Sequence, residues 1–149
     1  MMIESKIAES RTKRGQVMKI NGPLDALAVF VATGFGVGLS PIAPGTFGSL
    51  VGLGLAYLLI SNLKFEMLLL QNALLLAGLL ATLLGIWAGT RAERIFERKD
   101  ASQIVIDEVA GQLITFGCVA PYCARLEGRW QWAYIAAFAL FRLFDIFAR

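Results

Sequence analysis

Long uncharged stretches separated by short polar segments dominate this chain. The apolar segments are residues 26–39, 47–63, 67–90, 109–124 and 130–147. Pro41, Pro44 and Gly45 interrupt the first long run, because a helix cannot continue through them. The 24 uncharged residues of segment 67–90 are enough to cross a bilayer. The pattern predicts an all-α polytopic membrane protein with about four apolar helices. We expect the first, residues 26–39, to be interfacial or re-entrant.

Composition supports this fold class. Of the 149 residues, 57% are hydrophobic and 17% charged, whereas an ordinary soluble domain is about 45–50% apolar and about 25% charged. The net charge is +3, and the basic residues are confined to a few short segments. That distribution is typical of membrane topology and not of nucleic-acid binding. We therefore expect a basic cytoplasmic tail over residues 1–24 and one membrane domain over residues 25–149.

The order in which the segments cross the membrane can be predicted if the basic tail stays on the cytoplasmic side. Segment 47–63 then leads outward, 67–90 returns, and 109–124 leads outward again before the last segment returns. With an interfacial first helix, three unusual features meet at the cytoplasmic face: the glycine- and proline-rich loop 34–49, the acidic pair at 107–108, and the charged pair at 142 and 145. If the first helix spans, the loop lies on the opposite side.

The absence of histidine excludes several chemistries. Ser-His-Asp hydrolysis, phosphohistidine intermediates and histidine-ligated zinc all need that side chain. Cys118 and Cys123 lie in an apolar segment, and we interpret them as reduced packing residues. Cys123 and Arg129 have the spacing of a Cys-x5-Arg phosphatase loop, but Glu127 inside such a loop would oppose an anion.

Asp107 and Glu108 are adjacent carboxylates in a stretch that is otherwise uncharged from residue 101 to 124. Burying such groups costs several kcal/mol unless they are paired, protonated or bound to a cation. Mg²⁺ prefers carboxylate oxygens and is therefore a candidate ligand. The alternative is that the two acids interact with the dipole at a helix start. Gly111, one turn after Asp107, would leave room above that carboxylate, and Gln112 and Thr115 add polar groups nearby.

The loop 34–49 has two interpretations. It is either a simple break between helices or a backbone cradle for an anion, in which free N–H groups of residues 45–49 point at a phosphate. Thr46 or Ser49 could cap the helix that follows. Arg142 and Asp145, three residues apart, form either a local ion pair in an apolar helix or a phosphate partner with its orienting acid.

Three blocks of this sequence resemble the phosphatidylglycerophosphatase A family of bacterial membrane phosphatases. They are residues 36–50, 100–115 and 141–145. They occur in the family's order within a similarity that runs from about residue 25 to the end of the chain. The resemblance implies Mg²⁺-dependent removal of the phosphomonoester from phosphatidylglycerophosphate, giving phosphatidylglycerol. It also implies a protein of the bacterial inner membrane, and the topology predicted above puts the active face of this multi-pass chain in the cytoplasm.

This resemblance suggests roles for the candidate residues. Asp107 and Glu108 would hold Mg²⁺ and take part in catalysis. Arg142 would stabilise developing charge, and Asp145 would orient it or complete the metal shell. The phosphate oxygens would be held at the start of the second apolar helix, by Gly45, Thr46, Gly48 and Ser49. An aspartyl-phosphate formed on Asp107 stays an alternative.

One feature departs from the family pattern. Members usually continue after the Phe-Arg-x-x-Asp block with a Lys-Pro stretch and a second acidic block in another helix, whereas here residues 146–149 follow. We therefore expect a shortened member that lacks the family's last helix. The rival hypotheses are a catalytically inactive truncated membrane protein of the same family and a transporter or channel subunit that uses the 107–108 acids for ion passage.

Overall fold

The computed structural model describes residues 20–62, 67–99, 101–123 and 129–148. Within them lie five α-helices, which are α1 (Pro23–Ala32), α2 (Pro44–Asn62), α3 (Met67–Ile95), α4 (Ile106–Cys123) and α5 (Trp130–Ala148), and a short 3-10 turn at Val37–Leu39. The described part contains no strand, so the all-α prediction is confirmed there. The basic tail, apart from its last residues, and most of the Cys-x5-Arg segment lie outside the described residues.

Helix α4 lies at the centre and packs against α2, α3 and α5. Helix α3 runs antiparallel to α4, because Gly85 lies beside Ile106 and Gly78 beside Ile114. Helix α5 is also antiparallel to α4. Tyr134, near the start of α5, meets the ring of Phe116 edge to face at 5.1 Å, whereas Phe141, farther along α5, lies beside Gly111, earlier in α4.

Helix α2 runs in the same direction as α4. Gly48 of α2 approaches Val105, just before α4 begins, and Gly52 approaches Gln112 one to two turns farther along. The starts of α2 and α4 and the end of α5 therefore lie at one end of the bundle.

Helix α1 packs on the end of α3 through small residues. Ala28 and Ala32 of α1 and Ala88 and Ala92 of α3 are fully buried in one cluster. Alanine side chains let two helix backbones approach closely.

An ion pair at the rim of this contact joins Arg91 Nε to Asp25 Oδ1 at 2.7 Å. The hydrogen bond from Arg91, assisted by one from the backbone N–H of Asn21, holds the pKa of Asp25 below its usual value. The carboxylate therefore stays charged, and α1 stays linked to α3, throughout the neutral range.

The prediction that residues 26–39 form one helix is wrong for the second half of this segment. The helix ends at Ala32, and Gly34, Phe35 and Gly36 take left-handed backbone angles that an α-helix excludes. The turn that results lies against the segment leading into α4. There Val105 donates its N–H to the Ala32 carbonyl at 2.9 Å.

Two of the helices, over Pro44–Ser61 and Met67–Ile95, are long and apolar enough to cross a membrane. The other described helices do not meet the same criterion, so the prediction of about four apolar helices is confirmed for two. Large apolar side chains are exposed along the bundle, including Leu83, Ile86 and Phe147. A hydrocarbon environment is the simplest one for such a surface.

The alanine cluster predicts a clear substitution test. Ala28→Leu inserts three carbon atoms into a fully buried contact, and we expect it to lower the stability by about 1–3 kcal/mol through overpacking. Ala26→Leu, at an exposed position of the same helix, is the matched control and should change stability little. Thermal unfolding of both variants in detergent measures the difference. Equal melting temperatures would show that α1 does not depend on this contact.

Candidate active site

The three features predicted to meet at one face do meet, at the end of the bundle where α2 and α4 begin and α5 ends. Gly45 and Thr46 come from the first turn of α2, Glu108 from the first turn of α4, and Arg142 from the last turns of α5. The shared direction of α2 and α4 and the opposite direction of α5 bring them together.

Glu108 is the buried acid of this site. Its residue is 1% exposed, and its side chain points at the start of α2. A methyl group added at Gly45 would lie 2.7 Å from Glu108 Oε1 and 3.4 Å from Arg142 Nη1. The missing side chain of Gly45 therefore leaves the small space that a carboxylate and a guanidinium approach from two other helices.

Arg142 connects the site to two further groups. It forms an ion pair with Asp145 through Nη1 and donates a hydrogen bond from Nη2 to Thr46 Oγ1 at 3.2 Å. Its Nε is buried and has no hydrogen-bond partner among the described residues. The local ion pair of the sequence prediction is therefore present, and the guanidinium also reaches the start of α2.

The site has a simple charge balance. One guanidinium, from Arg142, faces two carboxylates, from Glu108 and Asp145. A phosphate dianion added to this set would meet an excess of negative charge, which is unfavourable at low dielectric. A divalent cation, or protonation of one of the carboxyl groups, would offset this excess.

Asp107 lies away from this centre. Neighbouring residues on an α-helix point about 100° apart, and Asp107 is exposed whereas Glu108 is buried. Asp107 lines an otherwise apolar cavity of about 390 Å³ between α3 and α4, with Thr82 and Gly85 among its neighbours. The two acids that the sequence treats as a pair thus face different surroundings.

Gly111 lies between two different neighbours. A methyl group at Gly111 would lie 2.6 Å from Phe141 Cε2, so this glycine accommodates an aromatic ring of α5. Gly111 also lines the cavity that Asp107 borders, so the space expected beside that carboxylate is present.

The start of α2 differs in part from the predicted cradle. The helix begins at Pro44, a residue favoured in the first turn, and not at a cap formed by Thr46 or Ser49. The N–H groups of Thr46 and Phe47 donate to the carbonyl of Ala43, at 3.0 and 3.4 Å. These two amides already have an acceptor, which contradicts the idea that they are free for a phosphate.

Gly48 and Ser49 have different roles in the structure. A methyl group at Gly48 would lie 2.7 Å from Val105 Cβ, so Gly48 is a packing position between α2 and the segment before α4. Ser49 is fully buried, and its Oγ has no hydrogen-bond partner among the described residues.

The sequence prediction left Gln112 out of the site. This residue is fully buried, and its amide atoms Oε1 and Nε2 both lack a partner within the described part of the chain. Its position one turn after Glu108 was the available signal, because residues four apart share a helix face.

The oxygen-rich character of the site suits a hard cation. The carboxylate of Glu108 is the kind of donor that Mg²⁺ accepts, together with water and substrate oxygens. No group of three or more acidic, cysteine or histidine side chains placed to bind a metal occurs in the described ranges. The residues therefore fit a cation that keeps much of its water and not one enclosed by protein ligands.

Comparison with known proteins identifies relatives of this chain. A protein of Bacteroides thetaiotaomicron, provisionally named a phosphatidylinositol-3-phosphatase, is 42% identical over 80% of this chain and 70% of its own length. The phosphatidylglycerophosphatase A of Haemophilus influenzae is 36% identical over 87% of this chain and 74% of its own. The enzyme of the same name from Escherichia coli is 33% identical over 87% of this chain and 64% of its own.

No solved structure matches the chain. The protein-family model for phosphatidylglycerophosphatase A matches residues 30–149. This range includes every residue of the candidate active site. On this match, the chain belongs to the phosphatidylglycerophosphatase A family, whose named members are phosphoric monoester hydrolases.

Proposed function

We propose that this chain is a membrane-bound phosphatidylglycerophosphatase, which removes the terminal phosphate of phosphatidylglycerophosphate to give phosphatidylglycerol. The convergence of Arg142, Thr46 and Glu108 around Gly45 is the observation that carries the proposal. It places a guanidinium, a hydroxyl and a buried carboxylate around one small space. In the reaction, the phosphorus–oxygen bond to the lipid head group breaks, water adds to phosphorus, and the head-group oxygen gains a proton.

Arg142 and Thr46 are suited to holding the phosphate. The guanidinium presents several N–H donors in a planar fork that matches phosphate oxygens, and its Nε is buried without a partner in the described part. Asp145 keeps the guanidinium oriented through its ion pair. A donor fixed in place before the reaction stabilises developing charge more strongly than water does.

Mg²⁺ is proposed as the cofactor and Glu108 as its protein ligand, whereas Asp107 of the same turn faces the separate cavity between α3 and α4. When bound, such a cation neutralises phosphate charge and lowers the pKa of its water. The support is the charge balance of the site, in which two carboxylates face one guanidinium.

The site is proposed to lie at the cytoplasmic face of the bacterial inner membrane. The end of α3 lies at the same end of the bundle, since Gly89 is beside Ile104. It carries Arg91 and Arg94, with Arg98 and Lys99 just beyond. Cytoplasmic segments are enriched in such residues. The phosphorylated head group would reach the start of α2 from the membrane surface while the acyl chains stay in the bilayer.

The name of one relative suggests a second candidate substrate. The Bacteroides relative carries a name that refers to phosphatidylinositol 3-phosphate and is 42% identical, against 36% and 33% for the two phosphatidylglycerophosphatases. Both lipids place a phosphomonoester on a polyol head group. A phosphatidylinositol phosphate is therefore the alternative substrate for the same site.

Phosphate release in detergent tests the function directly. We expect Glu108→Gln to lower the rate strongly with either lipid, because it removes the buried carboxylate proposed to hold Mg²⁺. Arg142→Lys should also lower it, since an ammonium cannot reproduce the guanidinium fork. Glu97→Gln, the same kind of change at an exposed position, is the control. A folded parent that releases phosphate from neither lipid would favour the inactive-relative or transporter hypotheses.

Metal dependence is a separate prediction. Treatment with a chelator should abolish phosphate release, and added Mg²⁺ should restore it, because the site needs extra positive charge to bind a phosphate dianion. Activity that is unchanged after exhaustive chelation would remove Mg²⁺ from the proposal while leaving the phosphatase function in place.

The space at Gly45 predicts a further effect. Gly45→Ala puts a methyl group 2.7 Å from Glu108 Oε1, which displaces the carboxylate and should lower phosphate release about 10–100-fold. Gly54→Ala in the same helix has no atom within 4 Å of the added methyl and should keep the parent rate. If both variants have parent activity, Glu108 does not need the position that the structure gives it.

A further inference from the structure

Two polar side chains lie between α2 and α4, each one helical turn after a residue of the candidate active site. Ser49 follows Gly45 in α2, and Gln112 follows Glu108 in α4. Ser49 of α2 and Gln112 of α4 are both fully buried. Their polar atoms, Ser49 Oγ and Gln112 Oε1 and Nε2, have no hydrogen-bond partner in the part of the chain that the structure describes. Buried polar groups in native proteins are nearly always hydrogen-bonded, so three at one interface require an explanation.

Helix geometry places the two residues together. Gly45, Ser49 and Gly52 lie on one face of α2, and Glu108 and Gln112 lie on one face of α4. Gly45 meets Glu108, and Gly52 meets Gln112, whose Cβ would be 2.9 Å from an added methyl group. Ser49 lies between the two glycines along α2 and therefore faces the stretch of α4 between Glu108 and Gln112.

The three atoms are complementary to a hydroxyl group. Gln112 offers two N–H donors on Nε2 and an acceptor in Oε1, and the hydroxyl of Ser49 can donate or accept. A buried water molecule typically makes about three hydrogen bonds to groups that would otherwise be unsatisfied. The full burial of both residues restricts an occupant to about the size of water or of a single alcohol hydroxyl.

We propose that Ser49 and Gln112 form a binding site for one hydroxyl group, occupied by water in the resting protein and used during phosphate hydrolysis. The site lies about 5.4 Å, one helical turn, from the Glu108 site, on the side toward the bilayer. A head-group alcohol of the substrate or a water molecule could supply the hydroxyl during turnover. Its part in the reaction rests on the proposed phosphatase function, whereas its occupation by water does not.

The melting temperature of Gln112→Met tests occupation without reference to activity. If water bridges the pair, this change removes two hydrogen bonds and leaves Ser49 Oγ without its partner, so the melting temperature falls. If nothing occupies the pair, replacing an unsatisfied amide by an apolar side chain of similar size raises it. A rise overturns the proposal.

A double-mutant cycle separates a shared ligand from altered packing. Ser49→Ala should also lower the melting temperature, and the double variant should lower it less than the sum of the single effects, because both residues bind one group. Leu113→Met, at a buried position next to Gln112, controls for the introduction of methionine. If the melting-temperature changes of the two single variants are strictly additive in the double variant, Ser49 and Gln112 do not bind one shared group.

Kinetics then identify the hydroxyl that turnover uses. We expect Gln112→Met to lower kcat/KM at least about tenfold for phosphatidylglycerophosphate. An equal loss with p-nitrophenyl phosphate, which has no alcohol hydroxyl, assigns the site to water. A loss confined to polyol phosphates assigns it to the head group.

Thr115→Val is the matched kinetic control, because the hydroxyl of Thr115 donates within its own helix to the Gly111 carbonyl at 2.8 Å. It should keep the parent rate. If the parent is active and Gln112→Met has the parent rate with both substrates, the hydroxyl site has no role in hydrolysis. The phosphatase function is then unaffected. If the parent releases phosphate from no substrate, both the phosphatase function and the role of the hydroxyl site in hydrolysis are overturned. The melting temperatures still decide whether water occupies the site.

Discussion

The close approach of α2 to α4 is the constraint on which the rest of the structure depends. Gly45, Gly48 and Gly52 form a stripe along α2, and a methyl group at any of them would lie no farther than 2.9 Å from an atom of Glu108, Val105 or Gln112. A Cβ at these positions would separate the helices. The stripe therefore determines how near the polar side chains of α4 come to the start of α2.

This approach explains how a carboxylate is kept inside an apolar bundle. Glu108 is almost fully buried, which is unfavourable for a charged group unless counter-charges are close. Arg142 provides one such charge from α5, and its own ion pair with Asp145 fixes its direction. The cluster is therefore held by three helices, so that a shift of any one of them changes the electrostatics of the others.

The positions of the apolar segments were predictable because long uncharged runs leave little choice of structure in a membrane. Their ends were less predictable. Helix α2 begins at Pro44, earlier than expected, because proline fits a first helical turn although it ends a preceding helix. Helix α1 ends early at Ala32, because three successive residues take left-handed angles, among them Phe35, for which such angles are rare.

The site was predictable as a set of residues but not as an arrangement. Adjacent acids look equivalent in a sequence, whereas packing buries Glu108 and exposes Asp107. Glycines likewise look alike, yet Gly45 borders the site, Gly48 packs on Val105 and Gly54 contacts nothing. Gln112 was undervalued because an uncharged amide in an apolar helix carries no strong signal until its missing partners are known.

The sequence by itself determined the fold class, the family and the three blocks that form the site, because these depend on composition, periodicity and motif order. Only the tertiary structure decided which acid is buried, which glycine leaves space at the site and which polar groups lack partners. Those properties depend on the rotation and spacing of helices relative to one another, and these are decided by contacts between residues as far apart along the chain as Thr46 and Arg142.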